Sequence, residues 1–281
     1  MTGAELPGTA KPRRFVPRFH YELIVCGFRG HELIGADAAE LRSEDAIVAR
    51  EAGGLRWYRC LRCDSWLPLP PPTQPVRPYP PAREEIELPL RGRPLRDKIV
   101  LRLIAIDRAL HFLVLAAVAA AIFVFAAKQA ELRGPAYRVL ADIQSGLGGQ
   151  GPARHGLLYD VHRLFSINTG TLTKIGLIVA AYAVLEGVEA VGLWYQRRWA
   201  EYLTFVATTV FLPLEVYELT HRLSALKVIT LLVNVAVVAY LLFAKRLFGL
   251  RGGSAADEAE RARDVGWPAL ERTTPGPSVP A

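Results

Sequence analysis

Residues Ala109–Ala127 read ALHFLVLAAVAAAIFVFAA, nineteen positions of Ala, Val, Leu, Ile and Phe broken only by His111. A helix crossing a hydrocarbon core of about 30 Å needs roughly 20 mainly apolar residues, and this stretch meets that length without a charge. Working outward, three further segments qualify: Leu172–Trp194, Ala200–Leu219 and Leu223–Phe243. The third carries Glu201, Glu215, Glu218 and Pro213; the fourth carries Lys227 and Asn234. The apolar blocks are flanked by sections rich in charge and proline, Met1–Asp97 and Arg251–Ala281. That distribution excludes a single soluble globule, a fibrous repeat and a fully disordered chain. The 281-residue average hides it, because 51% hydrophobic residues and a net charge of +7 do not separate the classes.

Basic residues set the expected sidedness. Arg91, Arg93, Arg96, Lys98, Arg102 and Arg108 precede the first span, Arg197 and Arg198 lie in the turn between spans two and three, and Lys245, Arg246 and Arg251 follow span four. Four spans put these clusters on one face, which predicts an inner-membrane, multi-pass protein with both termini cytosolic. The outer loop, 128–171, also carries basic residues, and its helical stretches Ala136–Ile143 and Leu157–Phe165 flank the Gly-rich segment Gly146–Gly151. Arg96–Arg108 reads as an amphipathic lead-in, and its basic character suits anionic lipid better than nucleic acid.

The N-terminal section holds all three cysteines, Cys26, Cys60 and Cys63. An odd number, with no secretory leader in Met1–Phe15, argues against a disulfide framework and for a reducing compartment. Cys26-x4-His31 and Cys60-x2-Cys63 instead supply a Cys3His set, the ligand chemistry of a structural zinc site. The strand-like runs Tyr21–Val25 and Leu55–Tyr58, and a helical-looking Asp37–Arg50 between them, predict a zinc-ribbon-like module over residues 19–67. So few residues bury too little core to be stable alone, so metal would supply folding free energy. Residues 1–18 and 249–281 read as disordered, and 68–95, dense in proline, as a semi-rigid polyproline spacer.

Carboxylates at bilayer depth cost about 2.5–3.5 kcal/mol on insertion scales, so they face the bundle interior and find partners. Glu186 and Glu189 share one helix face at i,i+3, as do Glu215 and Glu218. Counting along the helices puts Glu186 near mid-membrane, level with Thr208 and Thr209, and pairs Glu215 with Lys227. Glu218 is left to His221 or Arg222, and Glu186 has no evident basic partner. Pro213 predicts a kink in span three. These groups read either as structural ties or as an ion pathway. The chain has no Walker loop, nucleophile elbow, His-Glu-x-x-His or dinucleotide fingerprint, so no catalytic set is expected.

The run from Tyr182 through Glu186, Glu189, Trp194 and the Arg198-Trp199-Ala200-Glu201-Tyr202 segment, continuing to Pro213, Glu215 and Glu218, resembles a bacterial membrane family. That family is domain of unknown function twenty-one twenty-seven. The resemblance covers roughly 95–248 and implies a small multi-span inner-membrane protein, with no catalytic residues to carry over; the Cys/His module looks like an added zinc ribbon. The expected architecture is all-α membrane: a four-transmembrane-helix bundle, 96–248, behind a small N-terminal zinc-ribbon-like domain. The expected role is a non-enzymatic scaffold or sensor, embedded in the lipid bilayer, whose cytosolic zinc-binding head engages a protein partner. The alternative is a small ion- or proton-coupled transporter or channel using the intramembrane carboxylates Glu186, Glu189 and Glu215.

Overall fold

The computed structural model describes residues 20–146, 157–221, 223–245 and 253–274. The Gly-rich stretch 147–151, the N-terminal segment 1–18 and the last residues of the tail lie outside them. The chain divides into two compact units: Met1–Val100 together with Ala239–Ala281, and Leu101–Val238.

The first unit is built on a three-stranded antiparallel sheet in the order β1 (Ala49–Ala52), β2 (Leu55–Arg59), β3 (Trp66–Leu69). Gly53 and Gly54 make the β1–β2 turn with φ of 63° and 75°, the left-handed pair that a two-residue hairpin demands. This fixes Ala49 opposite Tyr58 and Ala52 opposite Leu55. Helix α1 (Tyr21–Arg29) stands where a strand was expected. Tyr21–Val25 has strand-like composition, but its one buried side chain is Cys26, so the segment follows helical spacing from that anchor. Asp37–Arg50 is not a helix either: it holds a 3-10 turn, Ser43–Ile47, and then enters β1. The Leu55–Tyr58 strand is present as expected.

The proline-rich segment is no free spacer. Prolines lack an N–H but keep a strong acceptor, and the neighbouring backbone uses those acceptors. Glu40 N–H donates to the Pro78 carbonyl at 3.0 Å, Ala39 N–H to Arg77 at 2.9 Å, and the Arg42 guanidinium to Pro80 at 3.0 Å. A Cβ on Gly35 would stand 2.7 Å from Pro80 Cγ, so only glycine lets the segment lie this close.

The tail, expected to be disordered, forms α7 (Gly253–Arg263) and α8 (Trp267–Thr273). Leu270 of α8 is fully buried in the core with Val48, Ala49, Tyr58 and Leu61, and Trp267 packs against it. Arg59, also fully buried, donates to the Leu270 carbonyl (3.0 Å), Thr273 Oγ1 (2.6 Å), Thr274 Oγ1 (2.7 Å) and Asp64 (2.7 Å). A polar average concealed the few apolar residues that matter here. The same unit contains the start of α2 (Gly92–Gly146), where buried Asp97 accepts from Tyr240 Oη (2.9 Å), Arg261 (3.1 Å) and Lys245 (3.5 Å). Arg93 joins this knot through Asp257 at 2.8 Å and through Glu260.

The second unit is helical. Helix α2 runs on through it, with a non-helical residue at Lys128, followed by α3 (Leu157–Ser166), α4 (Thr169–Trp194), α5 (Arg198–His221) and α6 (Ala225–Ala239), which continues as a π-turn over Tyr240–Ala244. Among the described residues, four helices are long and apolar enough to cross a membrane: Gly92–Val139, Thr169–Trp194, Arg198–His221 and Ala225–Ala244. Their outward residues include the apolar Leu113, Val114, Ile178, Val210 and Leu232 at 60–69% exposure, the surface expected where lipid is the solvent. Small residues set the approach of α4 to its neighbours: a Cβ at Gly176 would meet Phe123 at 2.9 Å, and one at Gly192 would meet Ala200 Cβ at 2.5 Å. Helix α5 continues through Pro213.

Candidate functional site

The Cys60-x2-Cys63 pair sits on the turn between β2 and β3. Cys60 N–H donates to the Ser65 carbonyl at 2.8 Å, Asp64 N–H returns to the Cys60 carbonyl at 3.0 Å, and Asp64 takes φ of 61° to close the turn. An aspartate tolerates that left-handed conformation better than most residues, and here its carboxylate also accepts from Arg59 and Arg91. The other two ligands come from the end of α1. Cys26 faces inward from its last turn, and Gly30, with φ of 82° and its N–H on the Cys26 carbonyl at 2.8 Å, turns the chain so that His31 follows.

These two corners bring one ligand atom each from Cys26, His31, Cys60 and Cys63 within 4.8 Å of one another, a group that could hold a metal ion. Cys26 Sγ and Cys60 Sγ are 3.7 Å apart, and Cys63 Sγ is 3.4 Å from His31 Nδ1. A tetrahedral ion with bonds of about 2.3 Å to sulfur and about 2.0–2.1 Å to nitrogen has edges of about 3.8 and 3.6 Å, so the donor set fits. The sulfurs stand well beyond the covalent distance of about 2.05 Å. Around them, Glu32 N–H points at Cys60 Sγ (3.5 Å) and Arg62 lies 3.8 Å from Cys26 Sγ, contacts suited to thiolate charge. Burial, and then the neighbouring thiols, push Cys26 up to about 12. Burial also raises Cys60, but hydrogen bonds from the Cys63 and Glu32 backbone and from His31 together outweigh it and bring that thiol down to about 6.

A second polar centre lies within the helical unit. Arg108 of α2, 3% exposed, meets Glu186 of α4, 2% exposed, at 3.1 Å. Its Nη2 donates to Thr208 Oγ1 on α5 at 3.1 Å and to Asn234 Oδ1 on α6 at 3.2 Å. Glu189 lies 3.9 Å from Arg108 Nε and accepts from Thr204 Oγ1 at 3.0 Å. Asn234 Nδ2 then donates to Glu215 at 2.5 Å. Each of the four long helices therefore contributes at least one side chain to a single connected network.

This corrects three sequence expectations. Glu186 does have a basic partner, Arg108, which sequence reading left among the flanking arginines. Its signal was periodicity, because Leu101, Ile104 and Ala105, at i−7, i−4 and i−3, are buried on the same helix face. Lys227 pairs with Glu218 at 3.1 Å instead of Glu215, which accepts from Asn234. His221 bonds the Tyr217 carbonyl one turn back and its neighbour Thr220, while Glu218 pairs with Lys227; Arg222, the other expected partner of Glu218, lies outside the described residues. The expected level of Glu186 with Thr208 agrees with their shared donor, Arg108, whereas Thr209 turns back to the Phe205 carbonyl.

The family described as "Predicted membrane protein (DUF2127)" matches residues 100–245. The chain is 37% identical over 245 residues to the uncharacterized protein Mb0093 of Mycobacterium bovis and, at the same identity, to the uncharacterized protein Rv0090 of Mycobacterium tuberculosis. In each case the match covers 87% of this chain and 91% of the relative, so it extends beyond the 100–245 stretch of the family match. No solved structure matches the chain.

Proposed function

We propose, for a chain that belongs to the DUF2127 family of predicted membrane proteins, a non-enzymatic role as a membrane-anchored scaffold whose zinc-stapled head engages a protein partner in the cytosol. The observation that carries this reading is the closed ligand set, Cys26, His31, Cys60 and Cys63. Three thiolates and one imidazole fill a tetrahedral zinc ion, and a filled shell suits a fold-holding metal better than a catalytic one, which keeps a position open. The Arg108 centre supports the same reading, since its guanidinium is bonded to Glu186, Thr208 and Asn234 on three other helices and so acts as a tie. The basic clusters at Arg91–Arg108, Arg197–Arg198 and Lys245–Arg251 support placing head and tail on the cytosolic side of the inner membrane.

One observation favours a second reading, proton or ion transport: Glu186 and Glu189 share the single buried cation Arg108, so the centre has more potential negative charge than positive. The two separate in one experiment on the full chain. The scaffold reading expects a protein that co-purifies stoichiometrically from wild-type membranes and is lost with Cys60→Ser, together with proteoliposomes that pass no more protons than empty vesicles. Proton flux above that background, abolished by Glu186→Gln, would overturn it.

A further inference from the structure

Beside the Arg108 centre, on the outer surface of the helical unit, a shallow groove of about 350 Å³ runs between α2 and α4. Ala105 and Ala109 form one wall and Ala190 and Val191 the other, while Trp194 and Tyr195 close one end. Three alanines make it concave, since larger side chains at 105, 109 and 190 would fill the space. Arg102, one turn before Ala105–Ile106, lays its guanidinium over the Trp194 ring, 4.7 Å from the centroid. Among the described residues Arg102 has no hydrogen bond or carboxylate partner, and its Nε is buried without one. It is held in place by an aromatic face while its charge stays uncompensated. That contrasts with Arg108, six residues on, whose two terminal nitrogens donate to Glu186, Thr208 and Asn234.

We propose that this groove is a binding site for one anionic phospholipid, its phosphate on Arg102 and one acyl chain along the alanine walls. The position fits that occupant. Arg102 stands about two turns before the uncharged stretch of α2 that begins at Ala109, and its contact with the Trp194 ring puts it level with the end of α4, where Trp194 and Tyr195 form the kind of belt in which amphipathic rings sit between headgroups and chains. A cation facing lipid with no protein counterion takes its counterion from the membrane, and basic pockets between spanning helices hold acidic headgroups in this way. A zwitterionic lipid brings the same phosphate but adds a cation that Arg102 repels; the net charge therefore sets the preference.

The test is native mass spectrometry of the full-length protein in detergent, titrated with phosphatidylglycerol or phosphatidylcholine of identical chains. One tightly held phosphatidylglycerol is expected, favoured over phosphatidylcholine by at least about fivefold, the order of effect of one basic residue at an anionic surface. Arg102→Lys retains the preference and Arg102→Gln removes it. Ala109→Phe, which fills the groove and leaves Arg102 in place, lowers retention of the lipid. Equal retention of both lipids by the wild type overturns the proposal, as does a preference that survives Arg102→Gln or retention unaltered by Ala109→Phe. Displacement of the lipid by inorganic phosphate at equal concentration also overturns it, because a free anion would then suffice. If Arg102→Gln fails to fold, the wild-type ratio and Ala109→Phe decide.

Discussion

Arg108 and Glu186 meet at 3.1 Å on different helices, both at least 97% buried, inside a unit whose outer surface is apolar. Neither charge has an economical place in hydrocarbon alone; together with Thr208 and Asn234 they form a hydrogen-bonded group that ties α2, α4, α5 and α6. Breaking a buried pair leaves an uncompensated charge, typically about 3–5 kcal/mol. Arg108→Ala is therefore expected to lower the thermal midpoint of the detergent-solubilised protein sharply. Adding Glu186→Gln to Arg108→Ala should recover part of the loss, since it removes the stranded charge. An unchanged midpoint in Arg108→Ala would contradict the tie.

Asn234 faces both ways, accepting from Arg108 and donating to Glu215. Asn234→Leu keeps the bulk but removes the donor to Glu215 and one of the three acceptors of Arg108, at about 1–3 kcal/mol for a buried group left unpaired. Asn234→Gln, which retains both chemistries on a longer stem, should be intermediate in thermal unfolding. Equal stability of Asn234→Leu and wild type would show that the network contributes nothing.

The tail is expected to be needed by the head. Leu270→Ala removes a fully buried side chain from the cluster of Val48, Tyr58 and Leu61 and should cost about 2–5 kcal/mol. Limited proteolysis of the full chain reads this directly: the head of Leu270→Ala should be cut faster than that of wild type. Trp267→Ala should act in the same direction. Identical digestion rates would mean that α8 only rests on the surface.

The ligand half of this architecture is readable in the sequence because its spacing is local: Cys60-x2-Cys63 implies its own turn, and Cys26-x4-His31 needs only one more. The spans are readable because length and hydropathy decide them. Long-range choices are not. Arg108 has the same composition signal as Arg91 or Arg102, and only packing separates the buried tie from the flanking charge. Leu270 stands 209 positions after Leu61, its core neighbour, in a stretch whose average is polar. The proline segment misleads for a related reason, because its open carbonyls reveal nothing until Arg42, Ala39 and Glu40 are found against them.

Metal affinity should rise with pH. Cys60, near 6, is a thiolate at neutral pH, whereas Cys26, near 12, keeps its proton until a metal displaces it. Each displaced proton weakens apparent affinity about tenfold for every pH unit of acidification while that thiol remains protonated in the free protein. Competition with a chelating dye should therefore show at least that slope between about pH 6.5 and pH 8, steepening on the acid side as Cys60 also protonates. A flat profile would mean that Cys26 is not a ligand.

The metal content of the purified full-length protein, by elemental mass spectrometry, tests the central claim most directly. About one zinc per chain is expected in the wild type, with Cys60→Ser and Cys63→Ser each losing most of it. A well-folded wild-type protein without stoichiometric zinc, or zinc retained unchanged in both variants, would contradict the zinc-stapled head.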